Sequence, residues 1–280
     1  MTFRFVNVAG RSALVDDGDQ WFDLGRLTDG RVSHDPMLAL ADGAGLHAAA
    51  SGLASATPDG DLATAHLLAP VPHPRNCFAV GLNYRSHAAE SGMDLPAQPL
   101  VFTKFPSCIA GPDAVVELRS AAADWEVELV VVIGTGGRDI AAADAWSHVV
   151  GVTIGQDISD RALQFAAKPP HFDLGKSRDG YGPIGPVLVS VDSVTNPDDL
   201  ALTCDVNGVR RQDDRTSNLI FTVPVLIEYL SGIMTLAPGD IIFTGTPAGV
   251  GVSTGTFLQP GDVIVSTIKG IGTLTTTCVA

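Results

Sequence analysis

The pattern of apolar and polar positions changes character near residue 75. Before it, two short apolar runs flank DDGD in FRFVNVAGRSALVDDGDQWFDL, a hairpin signal, and LALADGAGLHAAASGLASA reads as one weak helix and a loop. Pro70, Pro72 and Pro74 then form a stiff connector that breaks helix and strand alike. The boundary is placed there, with a small N-terminal α+β domain over 1–70 and a larger unit over 71–280. In the larger unit CFAVGL, LVFTKF, WEVELVVVIG, HVVGVTIG, GPVLVSV, ALTCDVNG, DIIFTGT, DVIVSTI and TLTTTCVA read as strands. SDRALQFAA and TVPVLIEYLSGI (222–233) read as helices. LAPGDII at 236–242 returns as LQPGDVI at 258–264. Pro-Gly suits a turn into a strand, so the two copies predict neighbouring strands of one sheet. Many short strands, Gly/Pro turns and few helices predict a mixed, β-rich α+β fold: a barrel, roll or sandwich.

One strand carries a conflict. In ADWEVELVVVIG, alternation puts Asp124, Glu126 and Glu128 on one face, and the run into VVVIG predicts burial. Like charges on one buried face are costly. Either the acids form a solvated edge or a divalent cation compensates them. Oxygen donors without nearby Cys or His favour a hard ion, Mg²⁺, Mn²⁺ or Ca²⁺. The strand offers two adjacent ligands and the third must come from elsewhere. Asp157, where VVGVTIGQD ends, is the candidate; a helix N-cap is its other reading.

Three further stretches carry chemistry. In GLNYRSHAAE, His87 and Glu90 are three apart on a helix, which suits a carboxylate-oriented imidazole that activates water. The same residues also fit a surface helix turn capped by Ser86. Arg161 and Gln164 share a helix face, and Lys176 sits in the Gly-rich HFDLGKSRDGYGPIGP. With 17 Lys+Arg against 31 Asp+Glu, such cations either pair with local acids or meet an anionic substrate. In FTGTPAGVG, backbone N–H groups and the Thr246 hydroxyl form an anion-holding loop or only a turn.

Composition narrows the partners. A formal net charge of −14 argues against nucleic acid or an anionic membrane. No run approaches the roughly 18 apolar residues of a membrane span, and the first residues lack secretory-signal features. Cys77, Cys108, Cys204 and Cys278 stand too far apart for a C-x-x-C zinc site or a disulfide framework. A reduced, cytoplasmic protein is expected.

Taken in order, GLNYRSHAAE, DWEVELVVVIG, QDISDRALQ, GKSRDGYGPIGP, TSNLIF and GDIIFTGTPAGVG resemble the fumarylacetoacetate hydrolase family over 71–280. The resemblance implies a β-roll catalytic domain, usually a homodimer, with Mg²⁺ or Mn²⁺ held by Glu126, Glu128 and Asp157. It makes His87 and Glu90 the water-activating dyad, on a segment that orders as a lid, and Lys176 a catalytic group. Arg161, Gln164, Tyr181 and Thr246 fall in the substrate-binding set, and Asp124 stands behind the ligands. Gln156 departs from a commoner Asn, and Arg178 and Tyr181 from a more apolar pair, which bears on the distal part of the substrate. The implied activity is metal-dependent hydrolysis of the C–C bond of an acylpyruvate or related 2,4-dioxo acid. Oxaloacetate decarboxylation and 2-hydroxy-dienedioate isomerisation are alternatives on the same site, and a non-catalytic relative is a third.

Overall fold

The strand Val127–Ile133 (VELVVVI) is buried along its whole length, and alternation divides its side chains between two cores. Val127, Leu129, Val131 and Ile133 enter one cluster with Leu202, Cys204, Ile264 and Leu274. Val130 and Val132 point the other way, into a cluster with Phe5, Leu14, Leu40, Leu46, Ile241 and Phe243. Burial on both faces explains why the run is continuously apolar after Glu128.

The computed structural model describes residues 2–280. Its large sheet runs, in spatial order, through Gly60–Asp61, Gln20–Asp23, Arg11–Val15, Arg4–Val8, Gly182–Val189, Val149–Gln156, Val127–Ile133, Ile241–Phe243, Cys77–Gly81 and Leu100–Thr103. Leu67–Leu68 and Ile109–Ala110 pair at its sides. A five-stranded sheet, Val209–Arg215, Ala201–Val206, Val263–Ile268, Gly272–Val279 and Ala114–Glu117, packs over the face that carries Val127 and Leu129. The chain is thus a mixed, sheet-rich α+β protein. Residues before Pro70 continue the large sheet, since Arg4 and Phe5 pair antiparallel with Val189 and Leu188. Their helices, including Gly43–Ala50, cover the face that carries Val130.

Two sequence expectations change. The Pro-Gly echo does not mark neighbours in one sheet: Ile241–Phe243 lies in the large sheet and Val263–Ile268 in the five-stranded one. What the copies share is a local turn, in which the Asp240 carboxylate accepts the Ala237 N–H at 2.8 Å and the Asp262 carboxylate the Gln259 N–H at 2.8 Å. The SDRALQFAA helix is a single turn, Arg161–Gln164, with Phe165 at its C-cap, and Pro169 and Pro170 keep the helix from resuming further on. The second helix, Val223–Ile233, forms as expected and buries Val223, Leu226, Ile227 and Leu230 at helical spacing.

Candidate active site

The acid strand and its neighbour supply the metal-type ligands through register. Glu128 faces Gly155 and Val127 faces Gln156 across the antiparallel pair. One step further, the Asp157 N–H donates to the Glu126 carbonyl at 2.9 Å, so these two residues lie opposite each other. Cross-strand partners share a face, and Glu128 shares it with Glu126 two residues on. Glu126, Glu128 and Asp157 consequently present buried carboxylate oxygens that all lie within 4.8 Å of one another. Opposite oxygen ligands of a divalent ion at about 2.1–2.6 Å stand about 4.2–5.2 Å apart, so an all-oxygen set this close fits a hard divalent cation.

The strand itself is interrupted at Trp125 and Glu126, and this corrects the simple picture of three acids on one regular face. Asp124 belongs to the two-residue pairing Ala123–Asp124 with Ser159–Asp160. Its carboxylate accepts the Gly251 and Val252 N–H groups at 2.6 and 3.0 Å and pairs with Arg161 at 2.7 Å. It stands behind the ligands. Gln156 fixes the break, accepting the Glu126 N–H at 2.9 Å and donating to Ser266 Oγ at 2.8 Å. Asp157 is not the helix N-cap. Asp160 holds that position, accepting the Leu163 N–H at 3.1 Å.

Three buried cations compensate the acids. Lys176 Nζ lies 2.5 Å from Glu126 Oε2 and 2.7 Å from Asp157 Oδ2. Arg161 bridges Glu126 Oε1 at 2.6 Å and Asp124, and it donates to Gln164 Oε1 at 3.0 Å. The third, Lys104, has no place among the sequence candidates. It is fully buried, and its Nζ donates to Asp157 Oδ1 at 2.8 Å, to the Tyr181 carbonyl at 3.1 Å and to the Lys176 carbonyl. The available signal was its setting, a lysine closing the apolar run LVFT in a chain with four lysines. Gln212 was also missed: it accepts the Val127 N–H at 2.9 Å and donates to Thr246 Oγ1 at 2.8 Å.

These neighbours split the carboxyl groups electrostatically. Burial pushes the Glu126 carboxyl up, but Lys176, Arg161 and His87 outweigh it and hold the group at about 2. Glu128 goes the other way. Burial, then the charges of Asp157 and Glu126, raise it well above the usual carboxylate range, against Lys176 and the Gly245 N–H. Arg161 and Lys104 are both raised: burial alone would lower them, and their carboxylate partners prevail.

The helix Arg85–Glu90 brings His87 to the same cavity of about 260 Å³ that the triad lines. His87 Nδ1 lies 3.3 Å from Glu90 Oε2, and Glu90 Oε1 accepts the Gly249 N–H at 3.0 Å. Ser86 does not cap the helix; its hydroxyl donates to Asp214 at 2.7 Å. The backbone N–H groups of FTGTPAGVG and of Val252 after it serve the protein's own carboxyl groups. The Gly245 N–H meets Glu128 at 2.7 Å, and Gly249, Gly251 and Val252 serve Glu90 and Asp124. Thr246 reaches the cavity while donating to the Val127 carbonyl at 2.9 Å.

Arg161, Gln164, Lys176 and Thr246 therefore line the cavity with the triad and His87, while Glu90 stands behind His87. Tyr181 does not. It is fully buried among core residues, its hydroxyl faces the Arg119 backbone, and its carbonyl, not its ring, serves the site through Lys104. Arg178, beside it, pairs with Asp160 at 2.8 Å.

The sequence model of the fumarylacetoacetate (FAA) hydrolase C-terminal domain matches residues 76–279. Bovine (Bos taurus) mitochondrial oxaloacetate tautomerase FAHD2B is 42% identical over 211 residues, covering 74% of this chain and 67% of that protein. The fumarylacetoacetate hydrolase of Exiguobacterium antarcticum superposes with a TM-score of 0.81 at 34% identity, over 100% of this chain and 99% of that one. The maleylpyruvate hydrolase of Sphingobium sp. SYK-6, in complex with manganese(II) and pyruvate, gives 0.82 at 29% identity over 99% and 98%. Among the described residues no helix is long and apolar enough to cross a membrane. The chain belongs to the fumarylacetoacetate hydrolase family.

Proposed function

We propose that this chain is a divalent-metal-dependent hydrolase that cleaves the C3–C4 bond of an acylpyruvate, a 2,4-dioxo acid, into a carboxylic acid and pyruvate. The observation that carries this reading is that His87, backed by Glu90, lines the same cavity as the three-carboxylate cluster. A bound Mg²⁺ or Mn²⁺, held by Glu126, Glu128 and Asp157, supplies Lewis acidity toward the 2-oxo group and the charge that develops beside it. Lys176 and Arg161, at the cavity floor, draw the substrate carboxylate, and Gln164 and Thr246 fix its orientation. Glu90, facing His87 Nδ1, favours the tautomer whose Nε2 carries the lone pair. That nitrogen takes a proton from water, and the resulting hydroxide adds to the C4 carbonyl. The C3–C4 bond then breaks with its electron pair going to C3. His87 returns its proton there as the carboxylic acid departs, so the reaction consumes one water. The pyruvate and manganese(II) of the Sphingobium neighbour support this product half.

A second reading uses the same groups without water: His87 shuttles a proton between carbon and oxygen of a 2-oxo acid. The oxaloacetate tautomerase name of the bovine relative favours it. The two separate on acetylpyruvate and oxaloacetate assayed in parallel with Mn²⁺ and with chelator. Metal-dependent appearance of pyruvate and acetate from acetylpyruvate supports hydrolysis. Accelerated keto–enol exchange of oxaloacetate, with acetylpyruvate intact, replaces it with tautomerisation.

A further inference from the structure

The cavity wall changes chemistry from floor to mouth. Its buried polar side chains, the triad with Arg161, Gln164, Lys176 and Thr246, gather at the floor. Phe102 marks the transition, its ring centroid 5.3 Å from Lys176 Nζ and 5.5 Å, edge to face, from the ring of Phe172. Outward from these rings the wall is Met93, Leu100, Phe165 and Val252, with Ser91 beside Met93, all of them exposed. The cations of the whole lining are Arg161 and Lys176, and both are engaged with Asp124, Glu126 and Asp157 at the floor. Lys168 and His171 follow Phe165 on the exposed loop, but neither contributes to this wall.

We infer that the outer chamber selects 2-oxo acids whose far end is uncharged and apolar, an alkyl or aryl acyl group, and disfavours dioates with a distal carboxylate. This rests on the reading that a 2-oxo acid binds at the floor. A carboxylate carried into the chamber loses water and finds no cation there, with the Ser91 hydroxyl as the one side-chain donor of the outer wall, whereas an alkyl or aryl group exchanges water for Phe102, Phe165, Phe172 and Met93. What positive charge the floor spares goes to the one carboxylate beside the 2-oxo group. The argument concerns carbons beyond C4, so it leaves the hydrolysis-versus-tautomerisation question aside.

The test is calorimetric binding to the Mn²⁺-loaded protein of a matched pair, 2-oxohexanoate and 2-oxoadipate, which differ only in the terminal group. The inference expects 2-oxohexanoate to bind at least about tenfold more tightly. A Phe165→Arg variant, which places a cation at the exposed mouth, is expected to narrow or reverse that ratio. Equal affinities, tighter binding of the dioate, or binding of neither would overturn the inference. Hydrolysis of acetylpyruvate is scored separately. Inertness there with the binding preference intact removes the proposed reaction and leaves the substrate class standing.

Discussion

Glu90 is held by Gly249: the Gly249 N–H donates to Glu90 Oε1 at 3.0 Å while the other carboxylate oxygen faces His87 Nδ1. The loop that follows Ile241–Phe243 thereby sets the orientation of the imidazole. His87→Ala should keep Mn²⁺ affinity, because His87 is outside the carboxylate cluster, and lose about 10²–10⁴ in kcat. Glu90→Gln keeps a hydrogen bond but loses the charge, so a smaller loss is expected. Calorimetric Mn²⁺ titration alongside steady-state kinetics checks both. Full activity in His87→Ala removes the dyad from the account.

Gly249 is also sterically committed. Its φ is +101°, and a Cβ there would lie 1.9 Å from the Arg211 carbonyl oxygen. Gly249→Ala must displace the loop, at a cost of about 1–3 kcal/mol for the backbone conformation alone. Thermal unfolding should show a lowered Tm, and the displaced N–H should lower kcat as Glu90→Gln does. An unchanged Tm would show that the loop adapts and that its geometry matters little.

Lys104 neutralises Asp157 where water cannot. Lys104→Met leaves that carboxylate without one of its two lysines and should cost about 3–5 kcal/mol in the metal-free protein. Added Mn²⁺ should recover part of the loss, since an ion at the cluster replaces the missing charge. Denaturant titrations with and without Mn²⁺ measure this. A loss that Mn²⁺ does not touch would make Lys104 a packing residue only.

Glu128 predicts a proton count. Its folded value is raised, so the metal-free fold keeps a proton that the unfolded chain releases above the ordinary carboxylate range. The metal-free protein should therefore lose stability as pH rises from that range toward the raised value, and Mn²⁺ should flatten the slope. Binding should release about one proton, and affinity should rise with pH across the same window. Calorimetry in two buffers of different protonation enthalpy counts that proton. Zero release in the native protein, or the same release in Glu128→Gln, contradicts the assignment.

The carboxylate cluster was legible in the sequence because it rests on short-range rules. A period of two puts Glu126 and Glu128 together, and three-residue spacing puts His87 beside Glu90. Asp157 was visible as a strand-end acid, but its place opposite Glu126 depends on register between strands. What neutralises the acids was half legible. A metal answers the pattern, yet Lys104 and Gln212 come from segments far away in sequence, and no periodicity links them to Asp157 or Val127. Tyr181 was misplaced because a Gly-rich loop leaves side-chain direction open, and its ring turned into the core. The Pro-Gly echo misled for a related reason: it encodes a turn, and a turn does not say which sheet the next strand joins.

The most direct measurement of the central claim follows acetylpyruvate turnover by the Mn²⁺-loaded protein in water enriched in heavy oxygen, with acetate and pyruvate analysed by mass. Attack of His87-activated water on C4 predicts one heavy oxygen in acetate for each bond cleaved, none transferred to the pyruvate carboxylate, and loss of the reaction in chelator and in His87→Ala. Unlabelled acetate, or keto–enol exchange with no acetate formed, would contradict it.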